Sequence, residues 1–181
     1  GTYVQATKAY LPVDGFDTLP ATMTLGQMSE ILFMLVMPLF FARLGVKWML
    51  AVGMLAWVVR YGLFAGAWGN GETDANLKWL ILGGVLLHGI CYDFFFVTGQ
   101  IYVEKKASAD IRGQAQGFLV LITQGVGMLI GNQLIGRLRD YYTDGKVIDW
   151  RSVWIAPAVF AVVVLVGFVL LFRGKGAGGG G

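Results

Sequence analysis

Apolar residues in this chain neither alternate nor form stripes. They come in five long runs, at residues 19–42, 48–67, 79–103, 113–136 and 153–172, separated by short polar stretches. About 20 apolar residues, rising 1.5 Å each in an α-helix, cross a hydrocarbon layer of about 30 Å. A helix with one face in water carries polar residues every third or fourth position, and these runs carry almost none. The ten-residue alternating segments of a transmembrane β-barrel are absent. The pattern predicts an all-α, polytopic transmembrane bundle over residues 12–172. The opening, 1–11, reads as the end of a truncated helix, and the Gly-rich residues 173–181 as a flexible tail.

Composition agrees. The chain is 56 % hydrophobic and 14 % charged, with a mean hydropathy of +0.66, whereas a soluble domain carries about 25 % charged residues. A single cysteine, Cys91, excludes an internal disulfide, and one cysteine with one histidine is too few for a metal site of usual ligand count, so no metal or cofactor is expected. The net charge of +3 comes from basic residues scattered among loops, which argues against nucleic-acid binding. No secretory leader is visible, and a start on Gly1 reads as the interior of a longer protein. Trp48, Trp68, Trp79, Trp150 and Trp154 stand near span ends, where amphipathic rings favour the headgroup layer. Arg43, Lys47, Lys105, Lys106, Arg112, Arg173 and Lys175 fall on one side of the membrane, against six Lys and Arg on the other, which leans toward the first side as cytoplasmic.

Charge inside the spans changes the picture most. Glu30, Arg60 and Asp93 are the formally charged residues deep in a run, and counting from the charged turns at 43–47 and 104 puts all three roughly 16–20 Å from the same face, near the bilayer centre. A charge there costs on the order of 3 kcal/mol on insertion scales, so such a residue marks a solute or proton path by default. Two acids and a base at one level suggest pairing, and Arg60 with Asp93 is the expected structural ion pair. Gln27 and Glu30, three apart, share a helix face, as do His88 and Tyr92, four apart. Donors and acceptors beside Tyr92, Phe94, Phe95 and Phe96 suit a flat polar solute with hydroxyls, such as a nucleobase or a sugar. Gln124, Gly127 and Gly131 also share a face, which could turn an amide toward a cavity.

Three stretches carry a resemblance: GQMSEILFMLVMPLFFARLGVK (26–47), HGICYDFFFVTGQIYVEKKASADIRGQAQGF (88–118) and TDGKVIDWRSVW (143–154). Together they resemble the C-terminal half of a major facilitator transporter of the nucleoside:proton symporter (nucleoside permease) family. That resemblance implies that the five spans are helices eight to twelve of a twelve-helix protein, with 1–11 as the end of helix seven. It implies solute binding near the midplane between two six-helix halves, in a multi-pass protein of the cell (inner) membrane. It further implies nucleoside contacts from Gln27, Glu30, His88 and Tyr92, and proton coupling through Glu30 and Asp93. His88 and Phe96 depart from the family, which more often has tyrosine and asparagine there. Three other functions stay open: a sugar or polyol carrier of the same fold, a membrane-embedded enzyme using Glu30, His88 and Asp93, and a non-transporting scaffold. The enzyme is disfavoured because no nucleophile or metal set accompanies those groups.

Overall fold

The computed structural model describes residues 19–67, 78–145 and 147–172. Expectations for the opening 1–11, the connection 68–77 with Trp68, and the tail 173–181 lie outside the described residues.

Four helices dominate: α1 (Leu19–Gly66), α2 (Trp79–Lys106), α3 (Arg112–Tyr141) and α4 (Trp150–Leu171). α1 is two spans in one. Gly45, at φ 66° and ψ 176°, interrupts the helical backbone, and a positive φ of this kind is strained for any residue with a Cβ. The chain folds back there. Met37 before the break and Met49 after it are buried in one cluster with Phe94 of α2, and Glu30 and Arg60 both reach the same histidine. The arms, 19–44 and 46–66, are joined by a turn one residue long, and with α2, α3 and α4 they make five long helical segments.

The other helices run further than the apolar stretches, because charged residues at their ends continue the helix into the headgroup layer. α2 ends at Lys106 and α3 extends to Tyr141. The all-α architecture includes one small non-helical connection. Thr143–Asp144 (β1) pairs antiparallel with Val147–Ile148 (β2), with Gly145 at φ 59° in the first loop position, where a tight hairpin favours glycine. Asp149 then caps α4, its carboxylate accepting from the Ser152 N–H at 3.2 Å. Hydrogen bonds from Ser152 hold the Asp149 carboxyl below its ordinary range.

α1 lies between α2 and α4 and packs along both, whereas α3 has few neighbours. Large apolar side chains face outward on every span, among them Leu35 (74 % exposed), Phe118 (64 %) and Leu170 (74 %). Such a surface requires hydrocarbon as its solvent. At the turn, Lys47 Nζ donates to the Val169 carbonyl at 3.0 Å, satisfying a carbonyl in the last turn of α4. Trp154 stands in the first turns of α4. It packs inward, its ring 5.9 Å from Tyr61 and 5.0 Å from Phe64. Trp57 fills the mid-span against Tyr61, as a packing residue.

Two glycines set how closely α1 and α2 approach. A Cβ on Gly89 would stand 2.6 Å from the Ser29 carbonyl carbon, and one on Gly53 would stand 2.8 Å from the Phe95 nitrogen. Gly89→Ala is therefore expected to force the helices apart and cost about 1–3 kcal/mol. Gly113→Ala, whose Cβ meets nothing within 4 Å, should leave stability nearly unchanged. Thermal unfolding of both variants in detergent checks this.

Candidate solute and proton site

The site starts from depth. Glu30 and Arg60 each stand fifteen residues from Gly45, so the hairpin brings them level, roughly 22 Å from the turn. Close contact of α1 with α2 then sets His88 between them. The contact is built by small residues next to the functional ones. The Gly89 N–H donates to Ser29 Oγ at 3.1 Å, and the Ser29 hydroxyl donates in turn to the Gly26 carbonyl. Ser29 precedes Glu30, and Gly89 follows His88.

The outcome is a linear set of side chains. His88 Nε2 lies 2.9 Å from Glu30 Oε1, and Arg60 Nη1 lies 2.6 Å from His88 Nδ1. Arg60 is flanked by the rings of Trp57 and Phe64, at 5.4 and 5.5 Å. One formal anion and one formal cation are thus joined through an imidazole. The set has no net charge when the ring is neutral, which limits the cost of holding charges at this depth.

The expected ion pair between Arg60 and Asp93 is not formed. Arg60 turns to His88, while both carboxylate oxygens of Asp93 are buried without a hydrogen-bond partner. His88 and Asp93 are five residues apart, which places them about 140° apart around a helix. When His88 faces the two arms of α1, Asp93 faces elsewhere. Asp93 is fully buried and opens a π-helical segment, Asp93–Val97, an irregularity frequent at functional sites. Thr98, just beyond it, is also fully buried, with its hydroxyl unpartnered.

The aromatic run divides. Phe94 is core, packed on Phe33 and Phe40. Tyr92 lies on the site side, 6.2 Å from the His88 ring and 5.0 Å from that of Phe96. Gln124 Nε2 donates to the Tyr92 hydroxyl at 3.0 Å from a second π-helical segment, Leu121–Val126. The sequence marks Gln124 as a candidate cavity amide, and here it is the tie between α3 and α2. Two contributors are not anticipated: Arg60 as a neighbour of His88, and the Ser29–Gly89 contact, whose signal was a small residue beside each polar one.

Two cavities flank this region. A niche of about 80 Å³ is lined by Gly26, Gln27, Arg60, Val85 and His88, room for about two waters or one small polar group. Gln27 is exposed beside it, and among the described residues Val85 is the one apolar side chain in its lining. A larger cleft of about 620 Å³ is lined by Leu25, Met28, Ser29, Leu32, Phe33, Leu63, Gly83, Leu86 and Leu87. It lies about half a turn around α1 from Gln27 and Glu30, and its almost purely apolar wall suits hydrocarbon rather than a polar solute. Among the described residues no cluster of His, Cys, Asp and Glu could hold a metal ion.

Comparison with known proteins places this geometry. The sequence profile of the family described as Nucleoside H+ symporter matches residues 6–177. The chain is 37 % identical over 178 residues to YegT of Escherichia coli, a protein named for nucleoside transport, covering 94 % of this chain and 41 % of YegT. It is 33 % identical over 153 residues to the nucleoside permease NupG of Escherichia coli, covering 84 % and 36 %. The crystal structure of the nucleoside transporter NupG superposes with a TM-score of 0.80 at 30 % identity, over 96 % of this chain and 43 % of that one. The chain thus spans about two fifths of the length of these relatives.

The Tyr92–Gln124 hydrogen bond should carry a measurable interhelical coupling. A double-mutant cycle of Tyr92→Phe and Gln124→Leu is expected to give about 0.6 kcal/mol, the usual size of such bonds within membranes. Unfolding free energies in detergent or bicelles supply the four corners of the cycle.

Proposed function

The chain belongs to the nucleoside H+ symporter family, with the fold of the C-terminal half of a major facilitator transporter, and from that premise we propose that it serves proton-coupled nucleoside uptake across the cell membrane. The solute site is completed by a further six-helix half, and the two halves rock about it to open alternately to either side. Gln27, Glu30, His88 and Tyr92 are the nucleoside contacts contributed by this half. The observation that supports this reading best is the mid-span carboxylate Glu30, joined to His88 beside a polar niche where a purely structural bundle would have closed with hydrocarbon.

Glu30 and Asp93 divide the proton work. The Glu30 side chain is 25 % exposed, so proton and solute can compete for the same oxygens. Asp93 is buried, with neither oxygen satisfied. A carboxyl in that position changes partners whenever the helices around it move, which is the requirement for a group that takes a proton in one conformation and yields it in another. Their effects would then be separable, Glu30 through solute binding and Asp93 through the conformational step.

Glu30→Gln in the full-length natural protein is expected to abolish accumulation driven by a pH gradient while leaving some exchange of solute across the membrane. Uptake of labelled uridine, adenosine and a hexose into proteoliposomes, with and without an acidic exterior, measures this. Unchanged accumulation by Glu30→Gln would remove the coupling role. Preference for the hexose would replace the nucleoside with a sugar or polyol.

A further inference from the structure

Arg60 is the one strongly polar group of this region that the transport reading leaves without a task. We infer that Arg60 is a positioning residue: its hydrogen bond to Nδ1 sets the tautomer of His88, and so decides which atoms His88 and Glu30 offer to a solute. This rests on the reading of Glu30 and His88 as solute contacts.

The argument is one of donors and acceptors. A guanidinium has five N–H donors and no acceptor. At 2.6 Å from Arg60 Nη1, His88 Nδ1 therefore accepts. The single hydrogen of the neutral ring is then on Nε2, which donates to Glu30 Oε1 at 2.9 Å. The other tautomer would set two N–H groups against each other at Nδ1 and turn a lone pair toward the carboxylate at Nε2. An imidazolium would meet the same clash at Nδ1. One arrangement satisfies both contacts.

The guanidinium is held where this control works. Trp57, three residues before Arg60, and Phe64, four after it, lie on the same helix face and flank the cation at 5.4 and 5.5 Å. Arg60 Nε is buried without a partner, and the Cys91 thiol, within hydrogen-bond reach of the guanidinium, is a further polar neighbour of the cation. Around the imidazole, the charged and titratable neighbours are Glu30 from the first arm of α1, Arg60 from the second, and Tyr92 from α2 itself.

The functional consequence is a defined polarity. Nε2–H engages one oxygen of Glu30, and the carboxylate stays an acceptor for hydroxyl or N–H donors of the solute. Without Arg60, Nδ1 would be free to take up a proton. The imidazolium so formed would hold Glu30 as an ion pair and compete with the solute for it.

His88 is the only histidine of the chain, which gives a direct test. The full-length natural protein is labelled with 15N-histidine in lipid bilayers, and the His88 signals are assigned by their loss in His88→Gln. The wild type should show a proton on Nε2 and none on Nδ1. Arg60→Met should shift the ring to a mixture containing Nδ1–H or imidazolium, whereas Arg60→Lys, which keeps a donor, should restore the Nε2–H form. Losing a charge-assisted hydrogen bond predicts a KM for uridine raised about tenfold or more in Arg60→Met, with a smaller change in kcat. A wild-type ring protonated on Nδ1, or an unaltered tautomer in Arg60→Met, would overturn the inference. The wild-type spectrum requires no variant to fold. It is also independent of the solute: failure of the wild type to take up nucleosides would remove the transport reading and leave the tautomer result standing.

Discussion

A charge in hydrocarbon must find compensation or not be a charge, and the middle of this bundle is arranged around that constraint. Glu30 and Arg60 each carry a charge that a lone helix could hardly hold at this depth, and they sit on arms brought level by one turn. The imidazole between them is not a spacer. It donates on one side and accepts on the other, so it joins an acid to a base without requiring direct contact. A direct ion pair would have tied up the carboxylate. The intervening ring leaves the acid compensated yet approachable.

Close packing of backbone makes that possible. Glycine at positions 53 and 89 lets α2 lie almost against α1, and Ser29 provides a hydroxyl that serves both helices. Lipid supplies no hydrophobic force between helices, so small residues and interhelical hydrogen bonds have to supply the association. The two π-helical segments fall where α2 and α3 present Asp93 and Gln124. Each widens a turn, and so alters the direction of the side chains that follow it.

Much of this was legible in the sequence. The five spans follow from the length and purity of the apolar runs, and the common depth of Glu30 and Arg60 follows from equal counts to the turn. Partner choice was not legible. Arg60 and Asp93 stand at the same level, but whether they meet depends on the rotation of α2, and a helix apolar on nearly all sides carries no stripe from which to read rotation. The glycine and serine that fix that rotation are commonplace residues whose importance shows only when two backbones are seen side by side. The ring partners of Trp154 were not legible either. Position near a span end favours the headgroups, but Tyr61 and Phe64 on the neighbouring arm offer a stacking surface that competes with it. The hairpin around Gly145 lies in a short polar connection, which a search for long apolar runs passes over.

The turn at Gly45 has a consequence beyond economy of length. With a single non-helical residue joining the arms, the two are phased against each other like the jaws of a caliper, and no slack separates their azimuths. One residue added at this elbow and taken up into the helix of the second arm would turn the side chains beyond it by about 100° around that arm. Arg60 would swing away from the imidazole with no loss of any side chain that touches it. The geometry at the centre of the membrane is thus written in part at its edge, in the number of residues in a bend that contacts no solute.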